Sequence, residues 1–315
     1  MIGKDIKQAI EILKKEELVG IPTETVYGLG GNALSSKAVA EIFRVKNRPS
    51  FDPLIIHTDT LEKVKKYVAF IPDQAMFLAR EFMPGSLTLL LPKNNNIPDL
   101  VTSGSSLVAV RLPNHSMTLE LLSELDFPLA APSANPFGYI SPTTAQHVNN
   151  QLGEKIPYIL DGGPCEVGLE STIVGFEGDE TIIFRKGGLA VEAIEELIGS
   201  VKILNHSTSN PQTPGQLKSH YAPKTDFEIG DPAMLIDQHQ GKKIGIISFS
   251  KSYEQVPIEN QIILSKVGDF SEAARNLFAG MRHLDSLGLD LIIAALLPEK
   301  DLGRAINDRL KRAAA

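Results

Sequence analysis

Short apolar runs alternate with stretches of helical spacing along the first 200 residues, and this alternation limits the fold more than any other feature of the chain. The apolar runs predict strands at 18–21, 54–57, 87–91, 107–111, 128–131, 158–160, 172–176 and 181–185. Helical spacing predicts helices at 6–13, 36–45, 60–68, 72–83, 115–125, 143–151 and 191–198. Strands interleaved with helices indicate an α/β domain over residues 1–200.

The pattern changes at residues 201–225, which are polar, contain prolines and have no periodicity. A segment of this length without elements is usually a linker or a functional loop, so we expect a linker or lid here. Beyond it, strands are predicted at 243–249, 261–265 and 290–297, with helices at 271–287 and 301–314. These elements predict a second, smaller α/β domain over residues 226–315.

Composition restricts the function of the chain. Asp and Glu outnumber Lys and Arg by 38 to 31, a net charge of -7. A surface that coats nucleic acid needs a basic balance, so direct binding of tRNA is not expected to dominate, although a small basic pocket is allowed. The single Cys165 can form neither an internal disulfide nor a thiolate zinc site. The longest apolar run, 289–298, is half a membrane span, so a cytoplasmic protein with no membrane partner is expected.

The block PTETVYGLGGNA, residues 22–33, allows three interpretations. Gly28, Gly30 and Ala33 match a dinucleotide-binding fingerprint, but the residues from Thr23 to Tyr27 lie between the preceding strand and these glycines, which disfavours this interpretation. The block could instead be a tight glycine-rich turn. It could also be a polar loop whose Thr25 hydroxyl and backbone N–H groups bind a small ligand.

The block KNRPSFDPLIIH, residues 46–57, places two cations at the end of a helix. Lys46 and Arg48 could simply complement the helix dipole. Because Pro49 fixes the backbone beside them, they could also form a rigid anion clamp. His57 ends the following strand and by itself predicts little.

Two further strands end in arginine. Arg111 follows the apolar run LVAV, where a charge is rarely buried without a partner, either a protein carboxylate or an anionic substrate. Arg185 ends the run TIIF. Small hydroxyl residues lie near these strands: Ser133 in a turn between prolines and Ser171 at the start of a strand. The chain has no P-loop, zincin, zinc-finger or nucleophile-elbow motif.

In this order, the blocks closely resemble those of the YrdC-like threonylcarbamoyl-AMP synthases. The matching segments are PTETVYGLGGNA, KNRP with PLIIH, PGSLTLLL, VAVRLP, APSAN with SPT, GLESTIV and FRKGG. TPGQLKSHYAPKT and DLGRAINDRLKRAA resemble the linker and final helix of the longer, two-domain form. The resemblance implies a YrdC-like twisted, open mixed sheet with a deep cavity, followed by a smaller Rossmann-like α/β domain.

The resemblance also implies site residues and chemistry. Threonine would be held by Thr25, His57, Arg111, Ser133 and Ser171, and ATP by Lys46, Arg48, Ser141, Arg185 and Tyr221. The implied reaction joins L-threonine, bicarbonate and ATP, with Mg²⁺ as cofactor, and no residue acts as covalent nucleophile or acid/base. A separate tRNA threonylcarbamoyl transferase would receive the product. Carbamoyl transfer through carbamoyl-AMP and an RNA-binding module are the alternative functions, disfavoured by the absence of Cys-rich segments and by the acidic charge respectively.

Overall fold

The computed structural model of the protein describes residues 1–178, 180–204, 213–215 and 219–315. The predicted linker or lid at 201–225 therefore lies partly outside the described residues. Strands of the first domain are β1 (Ile2–Gly3), β2 (Val19–Ile21), β3 (Gly28–Asn32), β4 (Ile55–His57), β5 (Leu87–Pro92), β6 (Leu107–Arg111), β7 (Leu129–Ala130), β8 (Tyr158–Leu160), β9 (Thr172–Glu177), β10 (Glu180–Arg185) and β11 (Lys202–Ile203).

The helices of this domain connect or flank the strands. They are α1 (Ile6–Lys14), α2 (Ser36–Lys46), α3 (Leu61–Val64), α4 (Asp73–Phe82), α5 (Asp99–Thr102), α6 (Ser116–Ser123), α7 (Ala145–Leu152) and α8 (Val191–Ile198). Several of these helices have an N-cap side chain. Asp5, Ser35 and Thr144 each accept a hydrogen bond from a backbone N–H of the first turn. These contacts fix where α1, α2 and α7 begin.

The first domain is built on one mixed sheet with the strand order β1-β8-β2-β3-β7-β4-β6-β5-β9-β10-β11. Parallel pairs such as β4 with β6 adjoin antiparallel pairs such as β5 with β6. On one face, α2 packs Val39 and Ile42 into a core with Leu29 and Ile56. The mixed sheet confirms the predicted α/β fold class.

The glycine-rich block contains a strand that the sequence did not predict. Residues Gly28–Asn32 form β3, which pairs with β2 and β7. These glycines therefore lie within a strand, so a dinucleotide-binding turn is excluded. The physical reason for glycine is close packing: a Cβ on Gly31 would lie 2.7 Å from Leu18 Cδ2, and one on Gly28 would lie 3.2 Å from Ala131 Cβ.

The second domain is a smaller parallel sheet with the order β12-β15-β13-β14. Its elements are β12 (Asp226–Ile229), α9 (Pro232–Gln238), β13 (Ile244–Ser248), a 3-10 turn (Ile258–Asn260), β14 (Gln261–Ile263), α10 (Phe270–Asp285), β15 (Leu291–Ala294) and α11 (Gly303–Ala313). The run at 289–298 supplies β15, which is paired on both sides. Among the described residues, no helix is long and apolar enough to cross a membrane.

The two domains share an apolar core. Val26, Ile140 and Leu169 of the first domain belong to the same buried cluster as Leu277 and Phe278 of α10. The shared cluster brings the second domain directly against the loops that surround the site described below.

Candidate active site

The site begins with two neighbouring parallel strands. His57 ends β4 and Arg111 ends β6, and the two residues are opposite each other in the register. Alternate residues of a strand project to the same face, so Ile55 and His57 face the same way. All three side chains line one cavity. Strand ends in parallel register therefore bring together a histidine and an arginine that are 54 positions apart in the sequence.

Empty space at this cavity amounts to about 520 Å³, counting space that is open to solvent. Among the described residues, its lining includes three arginines, Arg48, Arg111 and Arg185, and one carboxylate, Glu170. An acidic chain thus carries a locally cationic pocket. Such a pocket suits an anionic ligand.

Most of the residues implied by the resemblance converge on this cavity. Eight of the ten line it: Thr25, Arg48, His57, Arg111, Ser133, Ser171, Arg185 and Tyr221. They come from strand ends and loops that are scattered along the sequence.

Lys46 and Ser141 are buried beside the cavity but do not line it. The ammonium of Lys46 donates to the backbone oxygens of Ser133 and Asn135, at 2.6 and 2.5 Å. Ser141 Oγ donates to Glu170 Oε1 at 2.5 Å. In this arrangement Lys46 supports the turn that presents Ser133, and Ser141 supports Glu170.

Arg111 is paired with a protein carboxylate, one of the two partners that the sequence left open. Its Nη2 donates to Glu24 Oε1 at 2.7 Å and its Nε donates to Gly85 O at 3.1 Å. Both side chains of this ion pair are about 95% buried, with 5% and 6% exposed. The pair fixes the Arg111 guanidinium at the cavity wall. Nη1 of Arg111 makes no hydrogen bond with a described residue.

Arg48, which also lines the cavity, is held in a similar way. Its Nη2 lies 2.9 Å from Asp52 Oδ2, and its Nε and Nη2 donate to the backbone oxygens of Asp52 and Pro53. Burial raises the pKa of Asp52, while the charge of Arg48 acts in the opposite direction. Here too, Nη1 makes no hydrogen bond with a described residue.

Arg185 and Ser171 form a third rigid unit. The guanidinium donates to Ser171 O from Nε and Nη2 and to Ser171 Oγ from Nη2, at 3.1, 2.9 and 3.2 Å. Ser171 Oγ also shares a hydrogen bond of 2.6 Å with Thr88 Oγ1. The polar groups on this wall are thus oriented by the protein.

Two histidines that line the cavity each have a buried ring nitrogen without such a partner. Nδ1 of His57 and Nδ1 of His220 make no hydrogen bond within the described part of the chain. A buried polar atom without a partner costs about 1–3 kcal/mol, so its presence in a cavity points to a ligand. Burial, followed by the charge of Arg111, lowers the pKa of His57 to about 3. The imidazole is therefore neutral at physiological pH.

This lowered pKa predicts a loss of stability in acid. As pH falls below about 6.5, His57 of the unfolded chain binds a proton that the folded chain rejects until about pH 3. The free energy of unfolding should therefore fall through this window, by about 2 kcal/mol at pH 5 from His57 alone. In urea unfolding series, the free energy of unfolding of His57→Gln should therefore fall by about 2 kcal/mol less than that of wild type between pH 7 and 5. Exposed His283→Gln is the control, and parallel curves for wild type and His57→Gln would contradict the assignment.

Eight residues that line the cavity were not assigned from the sequence, and Glu170, His220 and Gly215 are among them. Glu170 stands in the quoted block GLESTIV, and His220 and Gly215 stand in TPGQLKSHYAPKT. A Cβ on Gly215, whose φ is +82°, would lie 3.1 Å from both Arg185 Cδ and the Tyr221 hydroxyl. A glycine followed by a polar loop was the available signal, but only the fold shows what approaches it.

The described lining does not fit a metal ion held by the protein. Magnesium prefers carboxylate and other oxygen ligands in octahedral geometry. Both oxygens of Glu170 are engaged, Oε1 by Ser141 and Oε2 by Arg309 at 2.9 Å. Among the described residues, no group of three or more His, Cys, Asp or Glu converges.

Two family models and several known proteins match the sequence of the chain. Residues 11–187 match the family model of Sua5, YciO and YrdC proteins, described as "Telomere recombination". Residues 189–315 match the model "Threonylcarbamoyl-AMP synthase, C-terminal domain". The chain is 39% identical to a threonylcarbamoyl-AMP synthase of Pyrococcus abyssi, covering 98% of this chain and 93% of that one. It is 37% identical to that of Bacillus subtilis, covering 98% and 92%.

Solved structures give the same result. The crystal structure of P. abyssi Sua5 complexed with L-threonine superposes with a TM-score of 0.92 at 38% identity, covering all of this chain and 97% of that one. Escherichia coli YciO, at 21% identity, superposes with a TM-score of 0.53 over 59% of this chain and 93% of that one, which supports the fold alone.

Proposed function

The chain belongs to the threonylcarbamoyl-AMP synthase family, and on that premise we propose that it converts L-threonine, bicarbonate and ATP to threonylcarbamoyl-AMP, diphosphate and water. It would thus act as a nucleotidyltransferase. The observation that carries the proposal is the convergence of eight family-implied residues on one buried, cationic cavity. The structure of a close relative with L-threonine bound supports threonine as the amino acid substrate.

The chemistry needs no nucleophile from the protein. The threonine amine forms a C–N bond with the carbon of bicarbonate, a C–O bond of bicarbonate breaks, and the departing hydroxide leaves as water with the proton from the nitrogen, which gives a carbamate. A carbamate oxygen then bonds to the α-phosphorus of ATP as the bond to the β-phosphate oxygen breaks, and diphosphate leaves with the electron pair. Alignment of reactants contributes about 7–11 kcal/mol in favourable cases, which suits a site built of fixed arginines and hydroxyls.

The charged side chains of the cavity would bind different substrates. Arg111 lies opposite His57 in the register of β4 and β6 and would bind the threonine carboxylate. Neutral His57 offers a ring nitrogen to the amino acid. Arg48 and Arg185 would face the phosphates, where fixed cations stabilise charge that develops in the transition state. Tyr221, fully buried between Phe278 and His220, would contact the nucleotide.

Magnesium would enter with ATP. Because the described lining offers no cage of carboxylates, its ligands would be phosphate oxygens and water, as is common for nucleotide-bound Mg²⁺. The linker or lid expected at residues 201–225 remains a prediction, since part of it lies outside the described residues.

The product is a mixed anhydride that water hydrolyses, which is a reason for a buried site. We propose that a separate transferase takes it and modifies an adenosine of tRNA to threonylcarbamoyladenosine. This role rests on the family relationship.

Diphosphate release tests the proposal. With ATP and Mg²⁺, we expect release only when threonine and bicarbonate are both present. Omitting either should reduce release to background. Threonine-independent release that requires carbamoyl phosphate would instead support a carbamoyl-AMP enzyme, and no release under any condition would remove the synthase proposal.

A further inference from the structure

The last helix places a fully buried charge against the site. Arg309 of α11 is 0% exposed. Its Nε donates to Glu170 Oε2 at 2.9 Å, its Nη1 donates to Asp308 Oδ2 at 2.7 Å, and its Nη2 donates to Lys186 O at 2.9 Å. Arginine is almost never buried this completely unless it is paired. One of its partners, Glu170, belongs to the lining of the cavity in the other domain.

Arg309 contacts a second lining residue. Its guanidinium carbon lies 5.1 Å from the centroid of the Tyr221 ring, and that ring also stacks on Phe278 at 5.5 Å. Arginine over an aromatic ring is an attractive geometry, stronger where water is excluded. A single side chain of the second domain thus fixes both Glu170 and Tyr221.

Other contacts bring the second domain close to the same wall. Arg275 of α10 donates to Glu166 O at 2.9 Å. Gly168, with φ +77°, lets the two backbones touch: a Cβ there would lie 2.5 Å from Arg275 Cα. Arg282 donates to the backbone oxygens of Ile140 and Ser141. The loops that carry Glu170 and Ser141 therefore rest on the second domain.

Glu170 explains why a buried arginine is needed there. It is the only carboxylate among the described residues that line a cavity with three arginines. Arg309 and Ser141 engage its two oxygens. Without Arg309, Glu170 would be left to Arg185 of the same lining, on which the charge of Glu170 already acts. An arginine neutralised in this way would bind phosphate less well.

We infer that Arg309 is a positioning residue of the active site: by holding Glu170 and Tyr221, it keeps the lining arginines available to the phosphates of ATP. The second domain thereby completes the nucleotide side of the cavity. This inference deepens the proposed function and rests on it.

The test uses the full chain and four variants. Arg309→Met removes the guanidinium, and Arg309→Met/Glu170→Gln removes both charges, so that no unpaired charge remains buried if the single variant folds poorly. Arg309→Lys keeps the charge. Arg304→Met is the matched control, because Arg304 lies on the same helix and bridges the domains through Glu192 at 3.4 Å, away from the cavity. Calorimetric binding of ATP and the KM values of ATP and threonine in diphosphate release are measured for each.

We expect Arg309→Met to raise the Kd and KM of ATP by about tenfold or more, the effect of one charge-assisted contact, with a smaller change for threonine. The second substitution, Glu170→Gln, should recover part of the ATP affinity. Arg309→Lys should have an ATP affinity between those of wild type and Arg309→Met. Arg304→Met should match wild type. If Arg309 had a purely structural role, a smaller fraction of the Arg309→Met protein would be active, the KM of ATP would be unchanged, and Glu170→Gln would not recover ATP affinity.

Three outcomes overturn the inference: an unchanged Kd of ATP in both Arg309→Met variants, no recovery in the double variant, or the same loss in Arg304→Met. Failure of the proposed function is a different result. In that case wild type binds ATP but releases no diphosphate when threonine and bicarbonate are added.

Discussion

Replacing Arg48 by methionine is expected to reduce both stability and synthesis, for two separable reasons. The stability loss follows from Asp52, whose side chain is 0% exposed and would lose its partner. Breaking a buried ion pair in this way costs about 3–5 kcal/mol. The synthesis loss follows from the phosphate charge that Arg48 would stabilise. Loss of one such donor lowers turnover by about 10²–10³-fold.

The double variant Arg48→Met/Asp52→Asn separates the two effects. It removes both charges, so urea unfolding should show most of the stability recovered, while diphosphate release stays at the level of the single variant. Arg44→Met is the control, since Arg44 lies on α2 just before Arg48, is exposed and pairs with Glu41 at the surface. Recovery of both stability and synthesis in the double variant would mean that Arg48 serves only to pair with Asp52.

Replacing Arg111 by lysine is expected to raise the KM of threonine by about 10–100-fold and to change the KM of ATP far less. Lysine keeps the positive charge beside Glu24 but loses the planar fork that can hold Glu24 and a substrate carboxylate together. A hydrogen bond to a charged group contributes about 1.5–3 kcal/mol, which sets this range. Initial rates of diphosphate release at varied threonine and varied ATP provide the measurement.

Arg111→Met/Glu24→Gln is the companion variant. With both charges of the buried pair removed, the fold should survive and threonine binding should still be lost. If Arg111→Lys raises both KM values equally, Arg111 belongs to the scaffold and threonine is held elsewhere.

The sequence predicted much of the fold because most elements agree with their local pattern. The helix expected at 36–45 is α2 (Ser36–Lys46), and the strand expected at 107–111 is β6 (Leu107–Arg111). The exceptions have physical causes. Strand β3 consists largely of glycine, which has low strand propensity, and its neighbours Leu18 and Ala131 require the absence of side chains. Strand β12, with the sequence DFEI, is half-buried and too short to show the apolar run by which the other strands were predicted.

The site was predicted less completely. Arginines at strand ends could be identified as candidates from their apolar context, as Arg111 shows. Their partners could not, because Glu24 and Arg111 are far apart in sequence and meet only through the sheet. For the same reason no pattern connects Glu170 with Arg309, which lie in different domains. Lys46 had two interpretations from its sequence context, and the fold adds a third, support of the Ser133 turn.

Isotope labelling shows whether threonine, bicarbonate and ATP are joined in one adenylate. The wild-type protein is incubated with ATP, Mg²⁺, threonine and ¹³C-bicarbonate, and the products are separated and identified by mass spectrometry. We expect threonylcarbamoyl-AMP carrying one heavy carbon, together with one diphosphate for each molecule of product. Diphosphate and AMP formed without any labelled adenylate, or an adenylate that lacks the heavy carbon, would contradict this expectation.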